Sequence, residues 1–162
     1  ASTKLGFSVK RTMTSLQKLY EAGLTTYLRT DSTSLSTDAL NQCESYITST
    51  FGRDYYNKKE YTNKKGNTQE AHEAIRPVDI TKRNIEVHGK IGTDELKIYD
   101  IVWKRTIGSQ MKPADVIVHT IYIGISKERK YKFVTCIDEI IFPGFLILFD
   151  GKIDTKSKSL IL

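Results

Sequence analysis

Gln110-Met111-Lys112-Pro113-Ala114-Asp115-Val116-Ile117-Val118-His119-Thr120-Ile121-Tyr122-Ile123 is the stretch on which the fold class turns. Up to Met111 the apolar residues recur every three or four positions; from Pro113 they recur with period two. Val116, Val118, Thr120 and Tyr122 alternate with Ile117, His119, Ile121 and Ile123, so this strand is expected to be covered on both faces. Helical patterns on one side and strand patterns on the other predict an α+β chain: a mainly helical part over 1–111, then an antiparallel β segment over 112–162.

Working back toward the start, Thr93 is placed to cap a helix with Asp94 and Glu95 in its first turn and Leu96, Tyr99, Trp103 and Ile107 as its buried stripe. Ser8 is placed to cap another, in which Val9, Met13, Leu16, Leu19 and Tyr20 stand at helical spacing and Gly23 ends the run. A third is predicted from about Thr37, with Leu40, Cys43, Ile47 and Phe51 on one face and Gly52 as the stop. Between these two lies Leu24 to Ser36, rich in Thr and Ser, which reads as a short extended stretch or a turn. Arg53 to Lys65 is polar, basic and tyrosine-rich without a period, and reads as a surface loop. Toward the other end, Ser126 to Lys130 is a charged turn and Tyr131 to Ile137 its returning strand. Ile140 to Phe149 predicts one or two more strands, broken at Pro143-Gly144. No pattern continues beyond Gly151.

The whole chain has 162 residues, 25 Lys+Arg against 19 Asp+Glu, and a formal charge of +6. At 39% hydrophobic and 27% charged it has the make-up of a globular protein, not of a disordered one. No apolar run approaches the ~20 residues of a membrane span, and no signal peptide opens the chain. Cys43 and Cys136 are too far apart in sequence for a metal knuckle and do not suggest a disulfide scaffold, so a reducing, intracellular setting is expected. The basic balance permits a polyanionic partner without establishing one. The chain opens Ala1-Ser2-Thr3-Lys4 without Met, as an excised piece or a Met-trimmed chain does.

Chemistry concentrates in two segments. In Gln17-Lys18-Leu19-Tyr20-Glu21-Ala22-Gly23-Leu24-Thr25-Thr26-Tyr27-Leu28-Arg29-Thr30-Asp31-Ser32, an extended Thr25–Asp31 puts Tyr27, Arg29 and Asp31 on one side. A phenol, a guanidinium and a carboxylate facing one space suit phosphoryl chemistry. The tyrosine attacks phosphorus and the arginine holds phosphate oxygens. A free phenol, with a pKa near ~10, needs a cation or base beside it, and Arg29 is two residues away. A polar strand end with a surface tyrosine fits the same spacing. In Ala71-His72-Glu73-Ala74-Ile75-Arg76-Pro77, His72 titrates near neutrality and can donate to a phosphate or orient the tyrosine. A helical turn stopped by Pro77, with His72 and Arg76 paired at i,i+4, is the purely structural alternative.

Together these segments resemble the signatures of the type IA DNA topoisomerases, the family of bacterial topoisomerase I, topoisomerase III and reverse gyrase. Tyr27-x-Arg29-Thr30-Asp31-Ser32 behind Leu19-Tyr20-Glu21 is similar to the active-site motif, and Gln69-Glu70-Ala71-His72-Glu73-Ala74-Ile75-Arg76-Pro77 to the second landmark. Three weaker matches fall in the same order: Lys4 to Met13, the helix around Trp103 with Ser109-Gln110-Met111, and Ile141-Phe142-Pro143-Gly144-Phe145-Leu146. The resemblance spans most of residues 1–150.

The resemblance implies that Tyr27 is the nucleophile in an ATP-independent cleavage and resealing of one DNA strand through a 5′-phosphotyrosine. Arg29 would stabilise the scissile phosphate, and His72 would hold that phosphate or the attacking hydroxyl. Asp31 and Gln69 are supporting candidates. Lys10, Arg11 and Arg76 are candidates for backbone phosphates, with a solvated or core-supporting role open for each. The family's magnesium belongs to a TOPRIM domain bearing a glutamate, a lysine and an Asp-x-Asp-x-Glu cluster. Asp94-Glu95 and Asp138-Glu139 lack that spacing, so no metal ligand is expected in this chain. The resemblance therefore implies a nucleophile-bearing domain plus part of the strand-rich arch of a toroidal enzyme, inactive by itself. Its partners would be DNA, preferentially single-stranded, and the other domains of the same polypeptide, inside the cell and away from membranes. A non-catalytic single-strand-binding module, stacking bases on tyrosines such as those of Tyr55-Tyr56-Asn57-Lys58-Lys59-Glu60-Tyr61, is the rival reading. An inherited fold with a structural or regulatory role is the other.

Overall fold

The computed structural model describes residues 1–61, 73–125, 128–149 and 160–161, which divide into two units, Ala1–Lys112 and Pro113–Leu162. In the first, a single turn α1 (Ser2–Leu5) is closed by Gly6 at φ 65°, in the left-handed region. The Ser8 hydroxyl then accepts the Arg11 N–H at 3.2 Å and starts α2 (Val9–Glu21). Ser36 does the same for α3 (Thr37–Thr50) through the Ala39 N–H at 3.3 Å. The last helix, α4 (Thr93–Ser109), begins one residue away from expectation: Gly92 is the N-cap and Thr93 the first helical residue. Glu95 decides this start, because its carboxylate reaches back to accept the Gly92 N–H at 2.9 Å.

α2 turns Ser15, Leu16 and Leu19 inward and leaves Val9, Met13 and Tyr20 exposed, so only part of the expected apolar face is buried. The reason is polar: Arg11, Ser15 and Lys18 lie on the face that meets the acids at the head of α4. α3 buries Ala39, Leu40, Cys43 and Ile47. α4 buries Ile98, Tyr99, Trp103 and Ile107, with Leu96 at the half-buried margin. Trp103 donates its indole N–H to Ile80 O at 2.8 Å, and the Tyr99 hydroxyl donates to Lys82 O at 2.7 Å, pinning the 80–82 segment onto this helix. Burial pushes the Tyr99 phenol up to about 12 and the Cys43 thiol likewise to about 12, so neither ionises near neutrality. After a 3-10 turn at Arg53–Tyr55 the basic stretch is irregular but tied down. Tyr56 bridges to Met111, and the buried Gln110 side chain bonds both backbone polar groups of Lys59 at 3.0 Å. Residues 62–65 of the expected loop lie outside the described residues.

The second unit is built on β1 (Asp115–Ile125) and β2 (Glu128–Phe142), antiparallel, with His119 opposite Ile137 and Ile123 opposite Phe133. β3 (Leu160–Ile161) adds to β2 at Val134 and Phe133, in a tail where the sequence showed no pattern. The expectation that the first strand is covered on both faces fails: every residue from Asp115 to Gly124 is exposed. Period-two apolarity on both faces states what a strand would bury, not that the chain supplies the cover. Among the described residues of this unit only Gly144 and Leu148 are buried. The returning strand is also longer than expected, running unbroken to Phe142. Beyond Pro143, Gly144 (φ 50°) opens a 3-10 helix, Gly144–Phe149, in place of a further strand. Ser126 and Lys127 of the charged turn lie outside the described residues.

Candidate active site

The two chemistry-bearing segments, some fifty residues apart in sequence, are joined to each other in the fold. Thr25 bridges to Pro77, the Val78 N–H donates to Leu24 O at 3.0 Å, and the Thr26 N–H donates to Arg76 O at 2.9 Å. The Thr26 hydroxyl closes the seam by donating to Ala74 O at 2.8 Å and accepting the Arg76 N–H at 2.9 Å. Further on, the Ala74 N–H donates to Ser34 O at 2.8 Å. Residues 73–77 are therefore held as an extended partner of the tyrosine segment, and no helical turn forms in the described part of this motif. Gln69 and His72 lie outside the described residues.

Glu73 is the latch of this seam. Its carboxylate accepts Arg76 Nε at 2.7 Å, Arg76 Nη2 at 2.9 Å and the Ser36 N–H at 2.7 Å. Burial pushes the Glu73 carboxyl up, but the bonds from Arg76 and Ser36 together outweigh it and hold the group below its ordinary value. Arg76 also donates through Nη1 to Pro77 O at 2.8 Å, and its side chain is only 12% exposed. Of the two roles open for Arg76, this geometry fits the core-supporting one.

Past the seam, exposure alternates without a continuous strand: Tyr27, Arg29 and Asp31 are exposed, Leu28 and Ser32 buried. Tyr27 is 48% exposed, and its ring meets that of Tyr20, itself 41% exposed, at a centroid distance of 5.1 Å and 62° between planes. Arg29 lines a cleft of about 390 Å³ with Leu28 and the α2 residues Met13, Thr14, Gln17, Lys18 and Glu21. A second cleft, of about 310 Å³, is lined by Lys10, Arg11 and Asp94 among others and shares Thr14 and Lys18 with the first. The two clefts therefore meet along α2 at Thr14 and Lys18, and their linings carry the carboxylates of Glu21, Asp94 and Glu95 beside the cations and hydroxyls.

The cations of these clefts differ in availability. Lys10 makes no ion pair among the described residues. Arg11 is held by Asp94 in a two-pronged contact at 2.6 and 2.8 Å and lies over the Phe7 ring at 4.0 Å. Lys18 bonds the buried Glu95 at 3.0 Å, which also accepts the Ser15 hydroxyl at 2.9 Å. Burial raises the Glu95 carboxyl, and the donors Gly92, Lys18 and Ser15 more than reverse that, holding it below its ordinary value. No group of three or more His, Cys, Asp and Glu among the described residues is arranged to hold a metal ion, so these residues do not fit a magnesium cage.

A family model for DNA topoisomerase matches residues 1–161. The chain belongs to the type IA DNA topoisomerases. It is 44% identical over 161 residues to a protein of Acanthamoeba polyphaga mimivirus named DNA topoisomerase 1 type prokaryotic, covering 95% of this chain and 19% of that protein. It is 40% identical over 159 residues to DNA topoisomerase 1 of Mycolicibacterium smegmatis, covering 95% of this chain and 17% of that one. The crystal structure of full-length topoisomerase I from Thermotoga maritima superposes with a TM-score of 0.72 at 35% identity, over 92% of this chain and 25% of that one. The chain thus spans about a fifth of the length of these curated relatives.

Within this topoisomerase chain, the sequence places Glu95 only in a first helical turn and assigns no separate role to Glu73 or to a Tyr20–Tyr27 contact. Glu73 and Arg76 stand at i,i+3, and Glu95 is three residues after its cap; both spacings were available. The Ser36, Ser15 and Lys18 partners that give them weight are distant in sequence and carry no local signal.

Proposed function

We propose that this chain is the nucleophile-bearing part of a type IA topoisomerase that changes DNA topology by breaking and resealing one strand. The Tyr27 oxygen attacks a backbone phosphorus, the bond to the 3′-oxygen breaks, and the phenolic proton is lost as the 3′-oxygen gains one. The enzyme is left on the 5′-phosphate beside a free 3′-hydroxyl, another strand passes, and the reverse exchange reseals the break. One phosphoester replaces another, so no ATP is consumed. Arg29 neutralises charge on the phosphate, His72 holds it or the attacking hydroxyl, Lys10 contacts the neighbouring backbone, and Asp31 and Gln69 support them. The helical unit carries this chemistry and the β unit belongs to the arch. Magnesium ligands, where the parent uses that ion, lie outside this chain. The substrate is single-stranded DNA within the cell, and the chain alone does not relax supercoils.

The observation that supports this most is the presentation of Tyr27. Its backbone is stitched to the second motif on one side and anchored by buried Leu28 on the other, while its ring stays half exposed against that of Tyr20, next in the chain but one to the cleft-lining Arg29. The test combines this chain with a fragment bearing the acidic metal-binding domain, magnesium and a single-stranded oligonucleotide. Label at the 3′ end should transfer to the protein and label at the 5′ end should not; Tyr27→Phe should abolish transfer. No adduct, or an adduct that survives Tyr27→Phe, refutes the assignment. A steep loss of DNA affinity in Tyr27→Phe favours the non-catalytic binding module.

A further inference from the structure

Tyr27 is fixed unevenly. Its main chain is held by Thr26, whose hydroxyl and N–H engage Ala74 and Arg76, and by Leu28, which is buried. Its phenol makes no hydrogen bond among the described residues, and the only ring it meets there is Tyr20. Tyr20 has a held main chain of its own, so each ring restrains the other from a set base. Tyr20 sits in the last turn of α2, and its carbonyl accepts the N–H of Gly23, which takes the left-handed conformation at φ 68°. The Leu24 N–H then closes on Leu19 O at 2.9 Å, so the path from Tyr20 to Tyr27 is a set turn followed by the seam.

We propose that Tyr20 is a positioning residue for the strand-breaking reaction, and that its ring sets the rotamer in which the Tyr27 phenol meets the phosphate. This rests on Tyr27 being the nucleophile. An in-line attack tolerates little error in the position of the attacking oxygen, and a displacement of about 1 Å costs up to about a hundredfold in rate. A phenol oxygen lies far from its Cα, so a fixed main chain alone does not fix it. An edge-to-face ring contact supplies the missing restraint without occupying the hydroxyl that must react. The contact is one of ring against ring, and the Tyr20 hydroxyl makes no hydrogen bond among the described residues, so phenylalanine should serve as well.

The test uses the full-length topoisomerase carrying this segment and measures single-turnover cleavage of a 3′-labelled single strand alongside the dissociation constant for that strand. Tyr20→Ala should slow cleavage about tenfold while leaving the dissociation constant within about twofold, and Tyr20→Phe should restore the rate. Tyr20→Leu, which keeps bulk but not the ring, should resemble Tyr20→Ala. A wild-type rate in Tyr20→Ala overturns the proposal. So does a Tyr20→Phe variant as slow as Tyr20→Ala, or a loss of affinity that matches the loss of rate. Tyr27→Phe is run in parallel: an adduct there refutes the nucleophile assignment itself, whatever the Tyr20 variants do.

Discussion

Replacing Arg76 by alanine separates two meanings of an arginine in a nucleic-acid enzyme. As a phosphate contact it would be lost with little effect on folding. As half of the latch it takes three short bonds with it, two to Glu73 and one to Pro77 O. Exposed ion pairs contribute about 0–1 kcal/mol, and deleting one partner of a buried pair costs about 3–5 kcal/mol. Here the surviving Glu73 side chain is 22% exposed and keeps the Ser36 N–H, so partial rehydration places the cost near 2 kcal/mol. At about 1.5 kcal/mol per molar urea for a unit of this size, the unfolding midpoint should fall by about 1.3 M. Trp103 is the single tryptophan and fully buried in the first unit, so its fluorescence reports that unit alone. Arg76→Lys should recover little, because an ammonium does not reproduce the two-pronged contact. A midpoint within about 0.3 M of wild type, together with weaker DNA binding and a salt dependence shallower by about one phosphate, would refute the latch and return Arg76 to the DNA surface.

Three more outcomes follow from the same geometry. Glu95→Ala removes the shared acceptor of Ser15, Lys18 and Gly92 and should cost about 2–4 kcal/mol in the same urea assay, with Glu95→Gln clearly milder. Thr25 buries a hydroxyl with no partner among the described residues, so Thr25→Val should stabilise by about 1 kcal/mol, read as a higher melting temperature by circular dichroism. The folded-state values of Glu73 and Glu95 lie below the ordinary 4.5, so their stabilisation is fully present above that pH and is lost as pH falls through the depressed folded values. The stability gap between wild type and Glu73→Gln should accordingly narrow on acidification below about 4.5, followed by urea midpoints at successive pH values.

What could be read locally could be read from sequence. Ser8 starts its helix as expected, and α3 begins at the expected Thr37, because a helix start is decided within three residues. The start of α4 lies one residue from expectation because Glu95 caps it at Gly92, and the change of period at Pro113 marks where the α-helices stop. Burial on each face is decided at longer range. Val9 and Met13 fall at helical spacing with Leu16, yet α2 rotates them outward so that Arg11, Ser15 and Lys18 reach the acids of α4 more than seventy residues away. The first strand has the pattern of a doubly covered strand and is exposed throughout its described side chains, because a pattern records what would be favourable to bury and not what is present to bury it.

The site shows the same limit in sharper form. Arg29 and Arg76 are both arginines in chemistry-bearing segments, and nothing in their identity separates them. What separates them is Glu73, three residues from Arg76 and locked by a backbone N–H from Ser36, with no counterpart beside Arg29 among the described residues. One guanidinium is thereby paired and largely buried while the other lines an open cleft. The structure thus divides these groups: charges near the seam are satisfied by hydrogen bonds that join distant segments, and Tyr27 and Arg29 beyond it are exposed. The proposed function would need both, because a reacting group that is already satisfied has nothing to offer a substrate, and one on a loose main chain is rarely in line.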